Sequence, residues 1–585
     1  MSSHGHNRNP ATIFLFILII IILNGYGCTN NQPELFKTIM IPVRDGTQLA
    51  TDLYFPDSKP SPFPTVLLRT PYNKKLLKAY GDYYSSHGYI TAIQDVRGKY
   101  DSKGDWKPYE FEGRDGYDTI EWLANQEFSD GKIGMVGGSY SGSVQLAAAI
   151  NAPPHLVTII PNITPATPFN NTPYENGVFA LGWGIRWSNI VYEDITGQEM
   201  NERFREVFQK NWYEELENLP VIDLDEMITG EKIDFWRAWI NNPPVRNSYY
   251  HDQNYLANLH RINIPVFLQS GWFDVANRGT KLIYKNLIDS GNKNVKLIIG
   301  PWVHSDKSSK QLGSLYLGEK AGINLFDIYV KWFDYWLKGI DNGITNDPLV
   351  QIFNIGPNNW IYDDEYPIAS AQETALYLMS GSNNNSSGIQ GKLIVENSGS
   401  SPGFTTFRYD PSNPTPGISD YLKKNILSEY QYIIEKRDDV IIFETDPLTY
   451  PLTIMGSISA ELYASSSAID TDFSVTLTAV NGKGNIFPIG QTFGVIRAKH
   501  RNSINKAELL EKLNVYKYTI DLSHTCYTIA PGEKLRLEIS SCSFPEFARN
   551  LNTGKNNQTT KDFIVAEQKI YHNKEYPSRI VFYTK

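Results

Sequence analysis

Short apolar runs alternate with helical patterns over the first 165 residues of the chain. "TVLLRTPY" (65–72), "GYITAIQDVRG" (88–98) and "HLVTIIPNIT" (155–164) have the length of buried strands and end in polar residues or glycine. Between them, "YDTIEWLANQ" (117–126) has the spacing of an amphipathic helix. Strands that alternate with helices in this way predict a mostly parallel, doubly wound sheet.

The alternation is interrupted after residue 165 and then resumes. The segments "GVFALGWGIRWSNIVYEDI" (177–195) and "QEMNERFREVFQKNWYEELENL" (198–219) are long, helical in pattern and aromatic. Strand patterns return in "IPVFLQSGWFD" and "VKLIIGPWVHS". An insertion between two strands of such a sheet usually covers the strand ends as a cap. We therefore predict a core made of residues 35–165 and 260–346, with a helical cap at 166–259.

The rest of the chain has a β-rich pattern. "LTIMGSISAELYASS", "TDFSVTLTAV" and "KLRLEISS" carry β-branched and alternating residues, and turns rich in Gly, Pro, Asn and Asp separate them. Several short strands at this spacing predict a β-sandwich of the jelly-roll type over residues 347–585.

The N-terminus has the pattern of a secretory signal. A weakly positive start precedes the apolar stretch Ile13–Leu23, about half the roughly 20 residues of a membrane span, and "NGYGC" then ends at Cys28. This pattern resembles a bacterial lipoprotein signal, in which the cysteine is lipidated, although Gly25 stands where that motif prefers Leu. We predict that residues 1–28 direct export to the periplasm or cell envelope. Lipidation of Cys28 with membrane attachment, plain cleavage and an uncleaved anchor all stay open.

Composition narrows the functional classes. The net charge is −9 and there is no long basic run, which argues against nucleic acid as a partner. The sequence has no metal-ligand spacing, phosphate-binding glycine loop or dinucleotide fingerprint, so no cofactor is implied. Whether Cys526 and Cys542 pair is open, and so is the subunit number, a homo-oligomer included.

Three serines, Ser139, Ser141 and Ser143, lie in "MVGGSYSGSVQLAAA" between a strand pattern and a helix pattern. A nucleophilic serine on a sharp strand-to-helix turn needs small residues on either side. The strand "KIGMV" ends directly before two glycines, which puts Ser139 at the apex and Ser143 inside the helix. Ser139 is therefore the candidate nucleophile, and a glycine- and serine-rich turn without chemistry is the alternative.

A serine nucleophile needs a base and an acid that orients the base, and on α/β-hydrolase folds these follow in the order Ser, Asp or Glu, His. Of the ten histidines, only His304 follows a buried core strand after the cap. Asp274 comes directly after the strand that precedes it. Three such residues at three strand ends, in this order, predict a catalytic constellation.

The motifs "GGSYSG", "SGWFD" and "GPWVHS" resemble the nucleophile, acid and base motifs of the CocE/NonD hydrolases. This group includes cocaine esterase, glutaryl-cephalosporin acylases, α-amino acid ester hydrolases and, more distantly, X-Pro dipeptidyl peptidases. "RTPYNK", "DVRGKYDSKGDW", "IDTDF" and "ISSCSFPEFARN" are also similar to the group, so the resemblance covers essentially all of the mature chain. It implies an α/β-hydrolase fold with an inserted helical cap, followed by an all-β jelly-roll domain.

The resemblance also implies roles for individual residues. Ser139 attacks an acyl carbonyl, His304 takes and returns the proton, and Asp274 orients the imidazole. The backbone N–H of Tyr140 and the phenol of Tyr72 form the oxyanion hole, where one donor is typically worth roughly 3 to 4 kcal/mol of transition-state stabilisation.

The residues around the predicted acid bear on substrate choice. In the α-amino acid ester hydrolases a carboxylate pair follows the acid and binds the substrate's ammonium group, but here "VANRG" follows Asp274. This departure disfavours α-amino substrates. Arg278 could instead meet an acidic acyl tail, although a solvated surface arginine is the commoner case. Trp183, Trp187 and Phe273 could wall an apolar acyl pocket, and packing of the cap on the core is the alternative.

Three functions remain in view. The first is an exported serine hydrolase of small-molecule esters or amides, acting through an acyl-enzyme intermediate. The second is an X-Pro dipeptidyl peptidase. The third, from another class, is a catalytically inert envelope binding protein in which the jelly roll binds the ligand.

Overall fold

The computed structural model describes residues 36–57, 62–169, 171–196, 212–242, 248–250, 253–304, 309–312, 315–381, 388–397 and 403–585. The predicted signal, with Cys28, lies outside these residues. Most of the helical pattern at 198–219 lies outside them as well.

The first sheet has ten strands: β1 Phe36–Pro42, β2 Gln48–Tyr54, β3 Phe63–Thr70, β4 Ile90–Asp95, β5 Ser129–Gly138, β6 Leu156–Asn162, β7 Val266–Phe273, β8 Val295–Val303, β9 Val350–Asn354 and β10 Asn359–Asp363. Their order across the sheet is β1-β2-β4-β3-β5-β6-β7-β8-β9-β10. The strands from β4 to β9 in this order pair in parallel, and antiparallel strands close the two edges. The central strands are buried along nearly their whole length, as parallel strands covered by helices must be.

Five helices pack against this sheet: α1 Lys78–Ser86, α2 Glu112–Ala124, α3 Tyr140–Ile150, α8 Asn277–Asp289 and α9 Leu325–Lys338, the numbers α4 to α7 being those of the cap below. Helix α3 is apolar around most of its circumference, and every one of its residues is buried. It lies between β5 and β6 on one side and α2 on the other. A helix of this composition has to lie inside the core, so the chain leaving β5 is held rigidly.

The core sheet continues past residue 346, where the sequence pattern places its end. Strand β9 pairs in parallel with β8, and β10 pairs with β9 in antiparallel register. The membership of β9 and β10 in the first sheet is a long-range pairing that local pattern does not specify.

The cap is the stretch between β6 and β7. The helices among its described residues are α4 Leu181–Thr196, α5 Trp212–Leu216, α6 Leu224–Thr229 and α7 Asp234–Asn241. A two-stranded hairpin, Tyr174–Glu175 with Val178–Phe179, precedes α4. The sequence pattern does not predict this hairpin, which docks on the jelly roll through the Asn176 side chain and the Val495 carbonyl, 3.0 Å apart.

Eleven strands form the C-terminal jelly roll: β11 Gln372–Ser380, β12 Ile389–Ile394, β13 Phe404–Tyr409, β14 Ile441–Glu444, β15 Leu452–Ser466, β16 Asp472–Val480, β17 Ile486–Arg497, β18 Tyr516–Ile529, β19 Lys534–Ser540, β20 Ala566–Tyr571 and β21 Arg579–Thr584. Helices α10 Ser419–Lys423 and α11 Leu427–Ile434 lie in one connection. Strand β15 pairs with β18, β20 and β21. Its burial alternates over its middle, as a strand with one face in the core requires.

Short 3-10 segments complete the described secondary structure: Lys74–Leu77, Val221–Asp223, Ser248–Tyr250, Tyr255–Arg261, Glu319–Ala321 and Ala498–His500, together with the hairpin of Gln311–Leu312 and Leu315–Tyr316. The fold is thus an α/β-hydrolase core with a helical cap, followed by a jelly-roll domain, as the sequence predicts.

Candidate active site

Ser139 occupies a sharp turn between a strand and a helix. Strand β5 ends at Gly138 and helix α3 begins at Tyr140, so Ser139 alone makes the turn. Its backbone has φ 59° and ψ −124°, a strained conformation for a residue with a side chain. Ser141 and Ser143 lie in buried turns of α3. The structure therefore presents Ser139, and not its two neighbours, at the strand end.

Close approach of helix and strand explains the small residues around this turn. A Cβ atom on Gly137, whose φ is +149°, would lie 2.7 Å from the Ser141 Cβ. A Cβ atom on Gly142 would overlap the hydroxyl of Thr164, which follows β6. The pattern of glycines around Ser139 is thus a packing requirement of the turn.

Asp274 and His304 are in direct contact. Asp274 directly follows β7 and His304 directly follows β8, two strands that pair in parallel. The His304 Nδ1 lies 2.8 Å from Asp274 Oδ1, and the Ala276 N–H donates to the same oxygen at 2.7 Å. The carboxylate is fully buried, whereas the imidazole is 36% exposed. With Nδ1 donating to the carboxylate, Nε2 is the nitrogen available as a base.

Ser139, Asp274 and His304 lie on the same side of the sheet, at the carboxyl ends of its parallel strands. Strands β5, β6, β7 and β8 are consecutive and parallel, and the three residues follow the carboxyl ends of β5, β7 and β8. Ligand sites of α/β sheets form at this edge. The arrangement places a hydroxyl, an imidazole and a buried carboxylate at the carboxyl ends of neighbouring strands.

The phenol of Tyr72 is positioned by the cap. Tyr72 follows β3, and its N–H donates to the Thr70 hydroxyl at 3.0 Å. The Trp187 indole N–H, from α4, donates to the Tyr72 hydroxyl at 3.1 Å. An indole nitrogen can only donate, so the phenol accepts this bond and directs its own hydrogen to a different acceptor.

The side chain of Tyr140 is anchored beneath the turn. Its hydroxyl donates to Glu112 Oε1 at 2.8 Å and accepts from the Tyr109 N–H at 2.9 Å. Burial, with the charge of Glu112 beside it, raises the pKa of Tyr140 well above its ordinary value. Tyr140 is the first residue of α3, so its own N–H has no acceptor within the helix. Sequence reasoning misses Glu112, since no local motif marks a contact between the starts of two helices.

Aromatic residues of the cap form a continuous layer beside Tyr72. Trp183 and Trp187 stack with centroids 5.5 Å apart, and Trp187 lies 5.6 Å from Trp239 and 5.7 Å from Phe235 of α7. Trp183 is half-buried and Trp239 fully buried. The sequence predicts the first two; the other two are signalled only by helical spacing in "DFWRAWIN". The layer is mainly packing of the cap on the core, with Trp183 at its exposed side.

Phe273 and Arg278 are both buried and bonded to other parts of the protein. Phe273 is a core side chain, 3% exposed, and its carbonyl accepts from Gln491 of the jelly roll at 3.1 Å. Arg278 is buried in an ion pair with Glu175 of the cap hairpin, and its guanidinium also donates to the Asp521 carbonyl at 3.1 Å. Its charge is already compensated, so the expectation of an acidic acyl tail at Arg278 does not fit this placement.

Three further features of the described residues concern cysteines, metal ligands and membrane spans. Cys526 and Cys542 are free, buried thiols, and burial raises the pKa of both. Among the described residues, no three His, Cys, Asp or Glu side chains form a cluster that could hold a metal ion. Within the same part of the chain, no helix has the length and apolar character needed to cross a membrane.

The chain is similar to known protein families and to characterised proteins over nearly its whole length. Residues 45–306 match the family model of the X-Pro dipeptidyl-peptidase (S15 family), and residues 342–581 match that of the X-Pro dipeptidyl-peptidase C-terminal non-catalytic domain. The chain is 28% identical to cocaine esterase from Rhodococcus sp. (strain MB1 Bresler) over 574 residues, which cover 93% of this chain and 97% of the esterase. The chain belongs to the S15/CocE family of hydrolases.

Two solved structures share the complete architecture of this S15/CocE hydrolase. An α-amino acid ester hydrolase superposes with a TM-score of 0.78 at 24% identity, covering 99% of this chain and 100% of the other. An aminopeptidase from a marine sediment Thaumarchaeota archaeon superposes with a TM-score of 0.77 at 24% identity, covering 96% and 99%. Core, cap and jelly roll therefore form one conserved arrangement in all three chains.

Proposed function

We propose that the protein is an exported serine hydrolase that cleaves acyl esters or amides through an acyl-enzyme intermediate. The observation that carries the proposal is the strained turn at Ser139, on the same sheet edge as the hydrogen-bonded pair of Asp274 and His304. A strained turn is costly, and it persists where the surrounding structure fixes a side chain for use.

The mechanism follows from the donors and acceptors present. The Ser139 Oγ attacks the acyl carbonyl carbon while His304 Nε2 takes its proton, and Asp274 stabilises the resulting imidazolium. The oxygen of the tetrahedral intermediate accepts hydrogen bonds from the Tyr72 phenol and the Tyr140 N–H. The imidazolium then protonates the leaving alcohol or amine. Water repeats the sequence on the acyl-enzyme, which releases the acid and restores Ser139.

An ester substrate is favoured over an α-amino substrate. Similarity to cocaine esterase extends over 97% of that protein's length, so core, cap and jelly roll are all shared with an esterase. The segment directly after Asp274, residues 275–279, has no carboxylate that could pair with a substrate ammonium group. A free α-amino group would lack a counter-charge on this side of the site.

Release of X-Pro dipeptides is the second candidate. Both family models that match the chain are named for this peptidase, and they match residues 45–306 and 342–581. The two activities use the same acyl-transfer machinery. The peptidase acts on an acyl group that carries an ammonium, and the esterase does not require one. Substrates with and without this ammonium therefore distinguish the two activities.

The first experiment is pre-steady-state hydrolysis of a short-chain p-nitrophenyl ester by the mature protein, beside Ser139→Ala and Ser141→Ala. We expect a burst of p-nitrophenolate in the wild type and in Ser141→Ala, and none in Ser139→Ala. Loss of the burst in Ser141→Ala alone would reassign the nucleophile. A wild type with neither burst nor fluorophosphonate labelling would contradict the proposal and leave a binding protein. Faster turnover of an X-Pro p-nitroanilide than of the ester would establish the peptidase activity instead.

Export rests on the sequence of residues 1–28. Fractionation of the cells that produce the full chain tests it, with metabolic labelling by a palmitate analogue for Cys28. Label on the wild type and none on Cys28→Ala would establish the lipid, and full-length protein in the cytoplasm would contradict export.

A further inference from the structure

The segment 272–277, which presents the candidate acid, is seated on the jelly roll. Trp272 packs edge-on against the ring of His524, with centroids 5.3 Å apart. The Gln491 side-chain amide donates to the Phe273 carbonyl at 3.1 Å. These contacts come from β17 and β18, so the C-terminal domain touches the chain directly beside the catalytic machinery proposed above.

His524 bridges the two domains through both ring nitrogens. Its Nε2 lies 2.6 Å from Asn277 Oδ1, and its Nδ1 lies 2.7 Å from the Tyr366 hydroxyl. An amide oxygen only accepts, so Nε2 carries the hydrogen, and Nδ1 accepts from the tyrosine. Burial lowers the pKa of His524 well below its ordinary value, which agrees with a neutral ring. The ring is fully buried, so both bonds are shielded from water.

The orientation of the Asp274 carboxylate depends on the backbone of residues 274–277. Its hydrogen bonds to His304 and to the Ala276 N–H both use Oδ1. The other oxygen, Oδ2, is buried and accepts no hydrogen bond from the residues that the structure describes. The Asn277 N–H in turn donates to the Asp274 carbonyl at 3.0 Å. The turn from Asp274 to Asn277 therefore sets the orientation of the carboxylate.

Helix α8, which begins at Asn277, is held by the same strand. The Arg278 guanidinium donates to the Asp521 carbonyl at 3.1 Å, and the Lys281 ammonium lies 2.9 Å from the Asp521 carboxylate. Strand β18 thus holds the first turns of α8 from Asp521 to His524, and with them the turn that carries the acid.

We propose that His524, in the jelly roll, is a positioning residue for Asp274, acting through Asn277. The inference rests on the proposed function of the Ser139 site. The family model describes the C-terminal domain as non-catalytic. Under this proposal that domain takes part in the reaction, because one of its side chains fixes the orientation of the catalytic carboxylate.

The test uses His524→Phe, which keeps an aromatic ring against Trp272 and removes both hydrogen bonds. We expect kcat for the p-nitrophenyl ester to fall by about 10- to 100-fold, the scale for misplacement of a catalytic group, with KM near the wild-type value. The matched control is His572→Phe, since His572 is also buried in the jelly roll but bonds to Thr405 there. It should leave kcat unchanged.

A conservative variant and a double variant separate positioning from general damage. His524→Gln can still donate to Asn277 through its amide, so it should recover most of the kcat lost in His524→Phe. Because His524 is proposed to act through Asn277, His524→Phe combined with Asn277→Ala should be no slower than the slower single variant. Folding of each variant is checked by its thermal unfolding midpoint.

Three results would overturn the inference in a wild type that shows the Ser139-dependent burst. They are an unchanged kcat in folded His524→Phe, an equal loss in His572→Phe, and effects of His524 and Asn277 that multiply. If the wild type shows no burst, the proposed function has failed instead, and Ser139→Ala in the same assay distinguishes the two cases.

Discussion

At the scale of single residues, two side-chain hydrogen bonds, one partly and one fully buried, bear on how an oxyanion would be held. Trp187 donates to the Tyr72 phenol, and Glu112 accepts from the Tyr140 phenol. The first bond fixes which way the Tyr72 hydrogen can point, and the second fixes the residue whose backbone N–H would be the other donor. Preorganised donors stabilise developing charge without moving during the reaction, so both contacts belong to the chemistry although neither partner reacts.

Trp187→Phe tests the first of these bonds. The ring stays within the aromatic layer, but the N–H that orients Tyr72 is lost. We expect kcat to fall by about fivefold, the effect of one hydrogen bond of roughly 1 kcal/mol. The fall should vanish in a Tyr72→Phe background, which steady-state kinetics of the four proteins would measure.

The control for this prediction is Trp183→Phe. Trp183 stacks on Trp187 and belongs to the same layer, but Trp187 makes the bond to Tyr72. An equal loss of kcat in Trp183→Phe, or a loss that persists without the Tyr72 hydroxyl, would mean that Trp187 acts through packing.

At the scale of elements, the site depends on how closely α3 passes the end of β6. Gly142 lies in the first turn of α3, and a Cβ there would overlap the Thr164 hydroxyl and approach the Asn162 carbonyl at 3.1 Å. The Ser139 N–H donates to that same carbonyl at 2.9 Å. A shift of helix α3 away from β6 would therefore also move Ser139.

Gly142→Ala tests this coupling. The added methyl pushes α3 away from β6, so we expect a loss of about 1–3 kcal/mol in the free energy of unfolding and a lower kcat in the ester assay. Gly482→Ala is the control, because a Cβ there meets no atom within 4 Å. A Gly142→Ala protein with wild-type unfolding midpoint and kcat would contradict the account of the turn.

At the scale of the whole molecule, the three parts brace one another. The cap is tied to the jelly roll by the Gly182 N–H, which donates to the Pro545 carbonyl at 2.8 Å, and by Arg186, which pairs with Asp420 at 2.9 Å. Helix α8 is tied to the same domain by the contacts of Asp521 described above. Loss of the jelly roll would therefore remove contacts that hold both the cap and the turn that carries Asp274.

Buried histidines of the jelly roll make the stability of the molecule depend on pH. Burial lowers the pKa of His572 to about 4, and burial with nearby Arg497 and Lys499 lowers that of His500 to about 4. In the unfolded chain histidine takes up its proton near 6.5. Between these values the unfolded state binds more protons, so this stability is fully present above pH 6.5 and is lost as the pH falls towards about 4.

His572→Gln removes one of these groups while keeping a donor for Thr405. We expect the drop in unfolding free energy between about pH 7 and about pH 5 to be smaller than in the wild type by about 2 kcal/mol. Thermal unfolding at the two pH values measures it. His87→Gln, at an exposed histidine, should leave the wild-type drop unchanged. A drop equal to the wild type's in His572→Gln would contradict the prediction.

Features that depend on near neighbours in the chain were predictable from the amino-acid pattern alone. Period-two spacing marks β15 to the residue, because burial of one face repeats along the strand. The positions of Ser139, Asp274 and His304 at strand ends follow from the same local patterns, since a buried strand has a readable end.

The folded structure was needed for every feature that depends on residues far apart in the chain. It assigned β9 and β10 to the core sheet, enclosed Arg278 in an ion pair with Glu175, and joined His524 to Asn277 across the domain boundary. Local patterning reports only that a residue is buried or exposed. Which side chain it meets there is set by long-range packing, because the energy of a buried charge or donor depends on the partner that folding supplies.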